Sequence, residues 1–244
     1  MSVTLAQAQQ CQNHLLSRLP DDQYQQLLPL FELVPTKVKD VLCQQGQPFE
    51  YVYFPCDCAH SCTLCMEDGT MVEVGTIGNE SHTNVEVLVG ATHATETIIC
   101  QIAGHSLRMK VSDFREAIST LLPLRHLAEC CAQGYLAQVL QSVACNRLHS
   151  VEMRFARWLL VTHDRVQGNE FNLTHEFLAA MLGVHRPSVS LVAGMFQHAG
   201  LIKYSRGHMR ILNREKLEET ACECYATVRD QYQRLLGMPR GQEE

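Results

Sequence analysis

The sequence predicts an α+β chain in three parts: an N-terminal antiparallel β-roll, a long helix, and a C-terminal winged helix-turn-helix. Three observations predict it. Between Val38 and Lys110, short runs alternate apolar and polar residues and are broken by turn residues, which is the period of paired strands. From Pro123 to about His149 the apolar residues recur at helical spacing. From Thr174 to Leu212, two helical stretches meet at Gly183 and a hairpin follows them.

Taken in order, residues 1–34 read as N-terminal helices. Leu15, Leu16 and Leu19, then Tyr24, Leu27, Leu28 and Leu30, recur at helical spacing, and Pro20-Asp21-Asp22 divides two short helices with Asp caps. Residues 35–120 form the roll. Its strand runs are Val38–Cys43, Gly46–Pro48, Tyr51–Phe54, Ser61–Met66, Met71–Ile77, Glu96–Ile102 and Leu107–Val111, with Glu67-Asp68-Gly69 and Gly78-Asn79-Glu80 as turns. Ser112 caps a short closing helix. Residues 121–149 make the long helix, where Ala132, Leu136, Val139 and Val143 step 4, 3, 4. That heptad-like seam suits a parallel pair of helices and a homodimer, or packing on the chain's own roll.

Residues 150–213 hold the helix-turn-helix. Ser150 caps its first helix, which ends near Asp164. Arg154, Arg157 and Arg165 along it either touch phosphates or pair with Glu152 and Asp164. Thr174 caps the next helix, with Glu176 in the first turn. Phe177, Leu178, Met181 and Leu182 are its apolar face, and Gly183 supplies a left-handed residue for the turn. Pro187 suits the first turn of the second helix. Val189, Val192 and Met195/Phe196 turn inward, leaving His185, Arg186, Ser188, Ser190 and Leu191 outside. Ile202, Tyr204, Met209 and Ile211 flank the hairpin turn Ser205-Arg206-Gly207-His208, which Lys203, Arg206 and Arg210 decorate. Residues 214–244 are a helix from Arg214 to Leu236 and a disordered tail from Gly237.

Charge supports a nucleic-acid partner once it is divided. The net charge is −6, but residues 150–213 carry 7 Lys/Arg against 4 Asp/Glu, whereas residues 1–149 carry 8 against 15. No stretch of eighteen apolar residues occurs and the N-terminus is not charged-then-apolar. The expectation is a cytoplasmic protein with no membrane contact. No hydrolytic motif is present: His175-Glu176 is followed by Ala179 where a zinc protease needs a second His, and neither Gly-x-Ser-x-Gly nor a phosphate loop occurs. The chain is therefore not expected to be an enzyme.

The stretch Glu176 to Gly200, with the wing after it, resembles the DNA-binding domain of the Crp/Fnr (catabolite-activator-like) transcription regulators. The order of elements is similar along the whole chain. The resemblance implies a β-roll sensor like a cyclic-nucleotide-binding domain, a dimerisation helix, a reader of double-stranded DNA, and RNA polymerase as a partner. It places Thr174, His185, Arg186, Pro187, Ser188, Ser190, Lys203, Arg206 and Arg210 at the DNA. Family recognition helices begin with Arg, then Glu, with a second Arg one turn on. Arg186 matches the first, but Pro187 and Leu191 stand at the others, so a different half-site is expected. Cyclic-nucleotide sensors of the family hold phosphate with an Arg after a Gly-Glu pair. Here no Lys or Arg lies between Lys39 and Arg108, and Gly78 to Glu96 offers Glu80, Glu86 and Glu96. The expectation is no cyclic nucleotide, with backbone N–H groups as the alternative.

The chain has 12 cysteines, and without a signal peptide a disulfide framework is not expected. Cys56, Cys58, Cys62 and Cys65 fall within ten residues, with His60, His82 and His93 as company. They are read as structural thiols, as ligands of an iron–sulfur cluster or zinc, or as a thiol redox switch. Cys62 and Cys65 share one ion only if a bulge interrupts their strand. Cys43, Cys100 and Cys145 read as core, Cys130 and Cys131 as helix packing, and Cys222 and Cys224 as facing different ways on a helix. The reading is a dimeric DNA-binding transcription regulator with an unidentified signal at the roll and a hinge near Asn146–Ser150. Its alternatives are a metal- or redox-sensing protein, or a partner that dimerises without binding DNA.

Overall fold

The structure, a computed structural model, describes residues 11–166 and 168–237. The N-terminal helical expectation for residues 1–10 and the tail from 238 lie outside them.

Two antiparallel sheets build the N-terminal part. One has the order β1-β7-β3, from Glu32–Thr36, Gly104–Lys110 and Tyr51–Pro55; the other is β2-β6-β4-β5, from Val41–Cys43, Thr97–Ile102, Ala59–Cys65 and Met71–Ile77. Helices α1 (Asp21–Leu27) and α2 (Val111–Thr120) flank the roll. The first sheet is covered by apolar residues from both ends of the chain: Leu15, Leu27 and Phe31 join Phe54, Leu107, Phe114, Leu124, Val228 and Leu236 in one core. The second buries Cys62, Ile77 and Ile98 against Tyr135 of the long helix α3 (Leu122–Leu148), with Ala132 and Val139 partly buried beside them.

Some local expectations are corrected. Residues 32–36 form a strand rather than the end of a helical region. Pro35 is tolerated there because β1 is an edge strand. Asp21 and Asp22 sit in the first turn of α1 behind Pro20 and do not cap it. Lys110, not Ser112, occupies the cap position of α2, because β7 runs straight into the helix.

After α3, α4 (Val151–His163) begins beyond a break in which Ser150 caps it by accepting the Met153 N–H. β8 (Glu170–Asn172), α5 (His175–Leu182), α6 (Arg186–His198), β9 (Ile202–Ser205) and β10 (His208–Ile211) follow, with sheet order β8-β10-β9. The C-terminal helix is two helices, α7 (Arg214–Thr220) and α8 (Cys224–Leu236), with an extended residue at Ala221 between them. α8 returns along α3, so Val228, Tyr232 and Leu236 end up in the roll's core. Among the described residues no single helix is long and apolar enough to cross a membrane.

α4 also anchors to the roll. The indole N–H of Trp158 donates to Glu73 of β5 at 2.9 Å, and Gln101 of β6 donates to the Thr162 hydroxyl at 2.9 Å. Arg165 inserts its guanidinium beside Glu80 with a 2.6 Å contact. Gly78 makes room for it, since a Cβ there would fall 2.5 Å from the Arg165 side chain.

Candidate nucleic-acid interface

α5 and α6 are bent by 110° relative to each other, within the range of a helix-turn-helix. Local chemistry fixes each end. The Thr174 hydroxyl accepts the Phe177 N–H at 3.1 Å. Gly183 closes α5 with φ +59°, a left-handed conformation that strains any residue carrying a Cβ. Val184 N–H returns to the Ala179 carbonyl at 2.9 Å. Arg154 donates to the Leu182 carbonyl, so it holds the C-terminal end of α5 rather than a phosphate. Pro187 lies in the first turn of α6.

Leu178, Met181 and Leu182 of α5 and Val189, Val192, Ala193 and Phe196 of α6 bury together, with Phe155 of α4 stacked on Phe196 at 5.3 Å. This core leaves His185, Arg186, Pro187 and Ser190 exposed and Ser188 half-buried. Met195, expected inward, is 47% exposed, and Leu191 is 67% exposed. They stand four residues apart, so α6 presents an apolar strip beyond its polar tip.

The wing is tied to this tip. Arg206 (φ +50°) and Gly207 (φ +85°) make the two-residue hairpin turn. The His175 ring stacks on Tyr204 at 4.4 Å, and its Nδ1 lies 3.0 Å from the Ser190 hydroxyl. Tyr204 in turn donates to the Leu173 carbonyl at 3.0 Å. Burial, then the charge of Arg186, lowers the His175 pKa, so the ring is neutral at physiological pH. Lys203 pairs across the hairpin with Arg210, whose other neighbour is Glu170, 3.4 Å away. Among the described residues Arg186, Lys203 and Arg206 make no ion pair. Arg186 on α6 and Lys203 and Arg206 on the wing are thus three cations without a carboxylate partner among the described residues.

The four clustered cysteines do not come together. Cys56 is bonded to Cys11 as a disulfide. Cys58 is held among the His105 carbonyl, Ser106 and His60. Cys62 is buried in the roll's second core, and Cys65 is half-exposed at the strand end. A register shift does interrupt β4 at Cys62/Thr63, yet it does not bring the four to one point. Burial lowers the pKa of His60 to about 3 and that of His82 to about 4, and His82 packs on Phe54 and Phe114. These are neutral core residues. The one group of convergent ligands among the described residues is elsewhere: Cys145, His149, Cys222 and Cys224. Sequence reading missed it because each half looks minor. The available signal was Cys145 four residues before His149, one helical face, with a Cys-x-Cys pair later. Arg165 was also misplaced, since its partner Glu80 lies 85 residues away.

Fold and site together define a winged helix-turn-helix joined by a long helix to a β-roll. Residues 153–220 match the Crp-like helix-turn-helix domain, and the chain has the fold of the Crp/Fnr transcription regulators. It is similar to a putative regulator of that family from Eubacterium rectale, with TM-score 0.65 and 17% identity over 84% of this chain and 96% of the other. A CRP-family regulator from Thermus thermophilus gives TM-score 0.64 and 17% identity over 78% and 96%. The c-di-GMP-responsive global regulator of Xanthomonas campestris gives 0.61 and 12% over 80% and 100%. Among curated proteins, none matches the chain by sequence.

Proposed function

We propose that the protein is a homodimeric, sequence-specific DNA-binding transcription regulator with α6 in the major groove. The observation that carries this is Arg186. It is the first residue of α6, exposed and without an ion-pair partner among the described residues, on a helix end fixed by the Gly183 turn and the core beneath it. A rigidly mounted free guanidinium suits bidentate recognition of guanine. Ser188 and Ser190 contact base or phosphate and His185 contacts phosphate. Ser190 is already oriented by His175. Leu191 and Met195 suit thymine methyl groups. Lys203, Arg206 and Arg210 sit on backbone phosphates, which position without specifying.

The dimer rests on α3. Leu136, Leu140 and Val143 are 57%, 63% and 66% exposed and step 4 and 3 along one face, while Ala132 and Val139 of the expected seam lean toward the chain's own roll. A second copy of the same helix is the occupant that such a repeat fits. Two readers then address a palindrome with half-sites about one helical turn apart, ~34–36 Å. The signal acts at the roll and re-aims the reader through the break at Leu148–Ser150. The Gly78–Glu96 segment has no Lys or Arg of its own, and Arg165, which reaches it, is already paired with Glu80, which favours an effector other than a cyclic nucleotide.

Random-site selection tests the reading. The wild type should enrich a palindrome, and Arg186→Ala should retain only weak, salt-sensitive binding without base preference. A wild type that enriches nothing would make the protein a dimerisation partner instead. A variant that selects the unchanged site would remove Arg186 from base reading.

A further inference from the structure

Cys145 and His149 lie four residues apart at the end of α3, and Cys222 and Cys224 lie at the bend between α7 and α8. Their ligand atoms all fall within 4.8 Å of one another. Cys145 Sγ is 3.5 Å from Cys222 Sγ, and Cys224 Sγ is 3.5 Å from His149 Nδ1. The three cysteines are 0%, 3% and 0% exposed. Two ligands bound tetrahedrally to one ion at about 2.3 Å stand roughly 3.8 Å apart, so the group is gathered to the span of one ion. An iron–sulfur cluster divides its cysteines among two or more irons and so spreads them more widely than one ion does.

The surroundings point the same way and are independent of that spacing. His149 turns Nδ1 toward the sulfurs and Nε2 toward Glu223, 3.3 Å away. That is the carboxylate–histidine arrangement which fixes a metal-binding imidazole in its tautomer. Gln141 donates to Cys224 Sγ at 3.1 Å, a bond that supports a thiolate.

We propose that Cys145, His149, Cys222 and Cys224 form a closed Cys3His site for a single zinc-class divalent cation. Three thiols release their protons to solvent, three thiolates and the neutral imidazole each give a lone pair to the ion, and nothing is oxidised or reduced. The ion staples the end of α3 to the α7–α8 bend, beside the break from which α4 and the reader hang. The ligand set shares no residue with the Cys56–Cys65 cluster, and the site stands whether or not the protein reads DNA.

Cobalt(II) provides the test, because tetrahedral thiolate coordination gives it a charge-transfer band and intense visible bands. Reduced, metal-free full-length protein titrated anaerobically with cobalt should take up one ion per chain with that spectrum, and zinc should displace it. Cys222→Ser and Cys145→Ser should each lose it, whereas Cys58→Ser and Cys62→Ser should keep it. Glu223→Gln, whose side chain is 72% exposed, should keep the spectrum with about 10–100-fold weaker affinity. A reduced wild type that develops no tetrahedral spectrum overturns the site. So does a spectrum that survives Cys222→Ser, or an affinity unmoved in Glu223→Gln.

Discussion

Arg165 and Glu80 join reader to roll through a buried ion pair. Two nitrogens of the guanidinium meet the carboxylate at 2.6–3.2 Å, and the same group also donates to the Val161 and Thr76 carbonyls. Burial alone would lower the arginine's pKa, but the charge and hydrogen bonds of Glu80 outweigh it and the net direction is upward. The guanidinium therefore stays charged at any pH at which the fold survives.

Breaking it from one side leaves an uncompensated buried charge. Arg165→Met and Glu80→Gln should each cost about 3–5 kcal/mol in denaturant unfolding. The double variant Arg165→Met/Glu80→Leu should recover much of that loss, since an apolar pair of similar volume often replaces a buried salt bridge at little cost. If the double variant is as unstable as the singles, the charges matter less than the packing around Gly78.

The second link between the two parts titrates. Burial raises Glu73 to about 7, against hydrogen bonds from Ser61 and Trp158 and the charge of Arg157. Burial likewise raises Glu96 to about 7, beside Tyr135. A carboxyl raised on folding holds a proton that the unfolded chain has released. Its contribution is fully present below the unfolded value near 4.5 and is lost as pH rises through about 7. For Glu73 this amounts to at most about 3 kcal/mol between pH 5 and 8. Trp158 is the sole tryptophan and donates to this carboxyl, so its fluorescence reports the change directly. Glu73→Gln should remove the fluorescence transition near pH 7 and flatten part of the stability profile. A transition that persists in the variant would assign it to another group.

How much of this was legible in the sequence depended on how local each feature is. Thr174, Gly183 and Pro187 act within a turn of where they stand, and each does in the structure what its residue type predicts. Strand alternation placed most of the roll, but Leu33 and Val34 beside Pro35 read as a helix end because an edge strand next to proline has no clean period. The Arg165–Glu80 pair joins residues 85 apart, and the Cys145–Cys222 contact joins residues 77 apart. No helical or strand period encodes either. Cys56, Cys58, Cys62 and Cys65 failed in the opposite sense: they are close in sequence, but Cys56 is taken by the disulfide to Cys11, and the extended β4 spreads Cys62 and Cys65 along its length. Only a chain reversal would have gathered them.

The exposed face of α3 predicts the oligomeric state. Leu140 is 63% exposed, so Leu140→Glu leaves the monomer's own core intact and places a charge in the seam. Sedimentation should show the wild type as a dimer and the variant as a monomer with unchanged far-ultraviolet circular dichroism. A variant that still sediments as a dimer would move the interface off this stripe.

The wing yields a prediction in which stability and function move in opposite directions. Lys203 faces Arg210 directly across the hairpin, and like charges so placed destabilise a sheet by a few tenths of a kcal/mol or more. Glu170 offsets part of this from the other side of β10, but it is one carboxylate between two cations. A phosphate over the wing would relieve the remainder, which gives the arrangement a use only when an anion is bound. Lys203→Ala should therefore raise the thermal midpoint of the free protein slightly. It should also weaken DNA binding about equally across sequences and lower the slope of log affinity against log salt by about 1. Fluorescence anisotropy at several salt concentrations measures that slope. A slope equal to that of the wild type would take Lys203 off the phosphate backbone, whatever happens to the midpoint.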